Sequence, residues 1–162
     1  FTKLAIGRKS PEPYGKIVAN YILNVKKKSD IFCWGMFGSC TLFTKTSYIR
    51  NLNGFDVDFK RCAELDLAIR GAIKGYHFVS VNEALITQYL TLGEHKTMKK
   101  DLLFRKKLVR KHKEYLKQNF LHMSSLINTY AWYWYTKEFN LIGHFFRFFA
   151  LCFSLKNKLK KL

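Results

Sequence analysis

The sequence predicts an α/β fold followed by a helical extension, and three observations lead to it. Short apolar runs rich in aromatic and β-branched residues alternate, up to residue 89, with stretches whose apolar positions recur at helical spacing. Glycine-containing turns separate them. Past residue 97 the character changes to long basic and aromatic stretches without strand signals, so a boundary falls between 1–97 and 98–162.

The first predicted element is a helix. Ser10-Pro11-Glu12-Pro13 breaks the chain, and Glu12 or Pro13 starts a helix to about residue 27. Ile17, Val18, Tyr21, Ile22 and Val25 form one apolar stripe, and Lys26-Lys27-Lys28 complements the dipole at the C-terminal end. Next comes an aromatic, glycine-rich segment containing Trp34, Gly35, Met36, Phe37, Gly38, Ser39 and Cys40. Its glycines allow a sharp bend or the close approach of a ligand, and 39–43 reads as a strand. Residues 44–51 read as a short helix entered through a Thr or Ser cap.

Asn53-Gly54-Phe55-Asp56 then forms a turn. Asp56-Val57-Asp58 belongs to that turn, because no apolar strand precedes it to carry metal ligands to a sheet edge. From 63 to 74, Leu65, Ala68, Ile69, Ala72 and Ile73 lie at helical spacing, with Lys74-Gly75 as the stop. Glu64 and Asp66 are roughly 200° apart around this helix and so have different surroundings. Asp66 pairs with Arg70 four residues on, a surface ion pair worth a few tenths of a kcal/mol. Glu64 has no such partner. It occupies the first turn, where backbone N–H groups favour a negative charge, and a carboxylate at the mouth of a cleft can take a proton from a hydroxyl. The alternative is that both acids only complement the helix start. Residues 77–81 and 84–89 read as strands around Asn82-Glu83.

In this order, the Gly-Phe-Asp turn, the helix with Glu64-Leu65-Asp66-Leu67 and Arg70, and then Gly75-Tyr76-His77-Phe78-Val79 resemble part of the bacterial inverting nucleotide-sugar glycosyltransferases of family 2. The resemblance covers about 35–96. It implies the acceptor-side half of a Rossmann-like GT-A domain, whose parent transfers a sugar from a nucleotide donor to a hydroxyl of a glycan or lipid-linked glycan. In that family the turn is usually Gly-Gly-Phe-Asp and the helix opens Glu-Asp-x-Asp-Leu, with the second residue as catalytic base. Here Ala63-Glu64 replaces Glu-Asp, so the base falls on Glu64 or on Asp66. The segment from Trp34 to Cys40 would line the acceptor pocket, with Trp34 and Phe37 as the floor for a sugar ring or else filling a core. A mobile loop follows the last strand in the family and reaches the donor diphosphate or its metal. Gln88, Tyr89, His95 and Lys96 occupy that place, although His95 also reads as a solvated loop residue.

The family's nucleotide half ends in an Asp-x-Asp that holds Mn2+ or Mg2+. This chain begins at Phe1 and has no such element, no G-x-G-x-x-G and no P-loop, so the main metal ligands are expected outside it. Cys33, Cys40, Cys62 and Cys152 show no zinc-finger spacing and read as reduced thiols of a cytoplasmic protein.

The whole chain carries a net charge of +18, and sixteen Lys and Arg against three acids follow His95. Residues 99–117 predict a basic amphipathic helix, and 120–155 hold twelve of the aromatics ahead of the basic tail 156–161. A span needs about 20 mostly apolar residues. The best candidate, 141–155, has fifteen and is interrupted by His144 and Arg147, so it does not span. The extension either lies at a membrane surface, on the inner face of the cytoplasmic membrane, or packs on the catalytic part or a second copy. The absence of any nucleic-acid motif argues against such a partner despite the charge. The competing functional class is a membrane-surface or partner-binding module without catalysis.

Overall fold

The computed structural model describes residues 16–23, 42–78 and 97–159, with the backbone alone given at 156–159. Among the described residues the regular structure is entirely helical: α1 Lys16–Ile22, α2 Thr46–Asn51, α3 Ala63–Ile73, α4 Met98–Lys111, α5 Lys113–Gln118, α6 His122–Tyr135 and α7 Asn140–Leu159. They divide between two compact units, α1–α3 in one and Leu23 with α4–α7 in the other.

This overturns the expected fold class. Helices without a strand among the described residues are not the α/β, Rossmann-like GT-A architecture. Two of the expected strands can be followed in part. Residues 42–45 are irregular and exposed, with Phe43 fully in solvent, so their backbone lacks the ladder partner a strand needs. At 76–78 the chain folds back onto α3: a Cβ on Gly71 would lie 3.2 Å from the Tyr76 ring and 3.8 Å from Phe78. The rest of 39–41 and 79–89 lies outside the described residues.

In the first unit α1 buries Val18, Ala19 and Ile22 and packs against α3. The α3 face differs from the predicted stripe. Ala68, Ile69 and Ala72 are buried as expected, but Ile73 is exposed, Leu65 is half-buried, and Asp66, Leu67 and Gly71 join the buried set. The α2 helix starts later than predicted and has Lys45, not Thr or Ser, at its N-cap, with no side-chain cap.

The second unit is a helical bundle. The predicted 99–117 helix divides at buried His112 into α4 and α5, while backbone hydrogen bonds from His112 N to Leu108 O and from Leu116 N to His112 O continue across the joint. Thr97 caps α4 by accepting from the Lys100 N–H. Arg105 pairs with Asp101 at 3.1 Å and lays its guanidinium 3.9 Å above the Trp132 ring, tying α4 to α6. The aromatic stretch forms the antiparallel hairpin α6–α7. Tyr130 stacks on Phe146, and the Ser124 hydroxyl donates to the Ala150 carbonyl at 2.9 Å. Gly143 permits the close approach, since a Cβ there would lie 2.7 Å from the Tyr135 ring.

Four helices end alike. After α2, α3, α5 and α6 a residue enters the left-handed region and two N–H groups turn back to helix carbonyls: Gly54 N to Ile49 O, Tyr76 N to Gly71 O, Leu121 N to Leu116 O and Phe139 N to Trp134 O are the wider bonds. The left-handed residues are Asn53, Gly75, Phe120 and Glu138, so glycine fills this position once and residues with a Cβ penalty fill the others. Phe120→Gly and Glu138→Gly are each expected to raise unfolding free energy by about 0.5–1 kcal/mol. Urea denaturation followed by far-UV circular dichroism measures this, and a loss of stability in both would refute the strain assignment.

Candidate functional site

The predicted acids open α3, and the structure gives them unlike surroundings. Asp66 is fully buried and Glu64 is half-buried. Asp66 accepts from Arg70 Nε at 2.8 Å. The same guanidinium also donates from Nη1 to the Leu52 carbonyl and from Nη2 to the Gly54 carbonyl, the latter at 2.8 Å. One turn on, Lys74 Nζ donates to the Asn51 carbonyl at 2.6 Å. Asn51, Leu52 and Gly54 are where α2 ends, so two cations of α3 meet carbonyls that a helix end leaves open, where its dipole is negative. Tyr48 and Tyr76 close the far side with ring centroids 5.0 Å apart.

The Asp66–Arg70 pair was legible from its four-residue spacing; its burial was not. The expected surface pair is a clamp with a buried carboxylate and a partly exposed guanidinium, joining α3 to the turn before it. Arg70 and Lys74 as ligands of α2 carbonyls were missed, and the available signal was two basic residues one turn apart on the helix after an Asn-Gly turn.

Between the helices, Asp56 Oδ1 accepts from the Asp58 N–H at 2.9 Å and Asp56 O from the Phe59 N–H at 3.1 Å. Asp56-Val57-Asp58 is therefore a turn closed by its own first carboxylate. Phe59 is buried below it, and Cys62, with φ of 64°, swings the chain into α3. Cys62 gives no side-chain cap to the helix. Glu64 thus stands half-buried in a first turn that no side chain caps.

The remaining predicted site residues, Trp34, Gly35, Met36, Phe37, Gly38, Ser39, Cys40, Gln88, Tyr89, His95 and Lys96, lie outside the described residues. The described residues contain no cluster of three or more His, Cys, Asp or Glu that would hold the expected Mn2+ or Mg2+.

The second unit offers a different kind of surface. Ile127, Phe145, Phe146 and Phe149 line an open, wholly apolar depression along the α6–α7 hairpin. Among the described residues no helix is long and apolar enough to cross a membrane. Comparison with protein-family models, curated proteins and solved structures finds no match to this chain.

Removing the clamp tests its weight. Arg70→Ala takes the guanidinium from a fully buried carboxylate and from two carbonyls, and is expected to cost about 3–5 kcal/mol in urea unfolding. Asp58→Ala, at an exposed turn position, should cost about 0.5 kcal/mol or less. Equal effects of the two would show that the clamp carries no special share of the stability.

Proposed function

We propose that this chain supplies the acceptor side of a nucleotide-sugar-dependent glycosyltransferase that works with inversion, and that Glu64 is its base. The order of the Gly54-Phe55-Asp56 turn, the acids of α3 and Arg70 supports the reading, as does the resemblance those residues carry. The observation that carries it is the division between the two acids. Asp66 is closed off by burial and by Arg70, so it holds the turn, whereas Glu64 is half-buried in an uncapped first turn.

The reaction in this reading is a single displacement. The acceptor hydroxyl oxygen bonds to the anomeric carbon while the bond from that carbon to the diphosphate oxygen breaks. The electron pair leaves with the nucleoside diphosphate, and the hydroxyl proton goes to the Glu64 carboxylate. Attack opposite the leaving group inverts the anomeric configuration. Trp34 and Phe37 would floor the acceptor sugar, and His95 and Lys96 would face the diphosphate. A divalent ion on the diphosphate, as the resemblance implies, would take its ligands from outside the described residues.

Release of nucleoside diphosphate from a panel of nucleotide sugars, with glycan acceptors, by a complete parent protein that includes the donor half is the direct assay. Glu64→Gln is expected to lower turnover by about 10²–10⁴-fold with donor binding unchanged. Asp66→Asn should instead show its effect as lost stability. An unaltered rate in Glu64→Gln removes Glu64 from the mechanism, and because the donor half is expected outside residues 1–162, sugar transfer by these residues alone would overturn their assignment to the acceptor side.

A further inference from the structure

Helix α7 is built inside out for a helix exposed to water. Its residues against α6 are mostly small: Gly143 under the Tyr135 ring and Ala150 beneath Ser124, with Phe146 between them on Tyr130. The large apolar residues lie on the opposite face. Leu141, Phe145, Phe148, Cys152 and Leu155 follow at spacings of four and three, and so form one continuous stripe. Leu141 is 87% exposed, Phe148 64%, Leu155 60% and Phe145 59%. Phe149, at its margin, leads into the depression lined with Ile127, Phe145 and Phe146. A contiguous apolar face of this kind marks an interaction surface.

Charge decides among its occupants. From Asn140 to the end of the chain there are five cations, Arg147, Lys156, Lys158, Lys160 and Lys161, and no acid. A parallel pairing of this stripe with that of a second copy would bring the C-terminal lysines together, and an antiparallel one would give them no acid of α7 to face, since 140–162 contain none. An anionic lipid surface complements them, and each lysine near such a surface adds to the attraction. Leucines and phenylalanines on one face beside lysines are the composition of a helix lying in the plane of the headgroups, which α7, about 30 Å long, can do without crossing.

We propose that α7 docks this chain on an anionic lipid bilayer, with the stripe Leu141, Phe145, Phe148, Cys152 and Leu155 entering the acyl boundary and the C-terminal lysines meeting the headgroups. The inference stands independently of the reaction assigned to the first unit.

Flotation of the whole chain with phosphatidylcholine vesicles, with and without phosphatidylglycerol, tests it. Binding is expected to the anionic vesicles and to weaken at least tenfold as salt rises from 0.1 M to 1 M, where the screening length falls from about 10 Å to about 3 Å. The double substitution Leu141→Ser with Phe148→Ser should reduce binding roughly a hundredfold. Its far-UV circular dichroism should be unchanged, since both side chains are exposed. Replacing Lys156, Lys158, Lys160 and Lys161 by Gln should weaken anionic binding with the stripe intact, and this variant decides if the first fails to fold. Three results overturn the proposal: no vesicle binding, binding indifferent to lipid charge and salt, or a concentration-dependent dimer that the serine substitutions dissociate while vesicles bind neither form.

Discussion

The first unit depends on one guanidinium. Arg70 is asked to satisfy a buried carboxylate on its own helix and two carbonyls at the end of the preceding one, and its planar fork has enough donors in fixed directions to do so. Each partner alone would be costly. Asp66 is fully buried, and the end of α2 leaves carbonyls that its short length cannot satisfy internally. Brought together, the two liabilities offset each other, and the turn between α2 and α3 is held. Lys74 repeats the device one turn later with a single bond.

That arrangement also explains how two acids two residues apart come to differ. The helix turns Asp66 toward Arg70 and the packed side, and the same rotation leaves Glu64 near the helix start, half-buried and outside the ion pair. A buried, paired carboxylate and a half-buried one outside that pair thus arise from a single helical register. The tight turn at Asp56, closed by its own side chain, and the left-handed Cys62 set where that register begins.

The second unit solves a different problem. Its α6–α7 hairpin is drawn close by Gly143 and by the Ser124 bond to Ala150, so apart from Phe146 the bulky residues of α7 lie off the inner side. Close approach of two backbones and burial of α7's largest aromatics are incompatible in a hairpin of two helices. The aromatics that do pack do so at the seam, as Tyr130 with Phe146, or over cations, as Trp132 with Arg105 and Tyr133 with Lys137. The remainder form the outer stripe, a consequence of the packing more than of the composition.

By itself the sequence determined α3 within a residue of its predicted end, the turn at Asn53-Gly54, the spacing of Asp66 and Arg70, and the basic, aromatic character after residue 97. These are local properties, governed by propensity, capping and periodicity, and they need no knowledge of neighbours. What it misjudged depended on neighbours. The runs at 42–43 and 77–78 look like strands by composition, but a strand exists only through a partner, and here one run is solvated and the other folds onto Gly71. Likewise the spacing that paired Asp66 with Arg70 did not reveal that the pair is buried or that it grips α2, and the aromatic content of α7 did not reveal which side faces out. Burial and facing are settled by what packs against a residue, and only the tertiary structure supplies that.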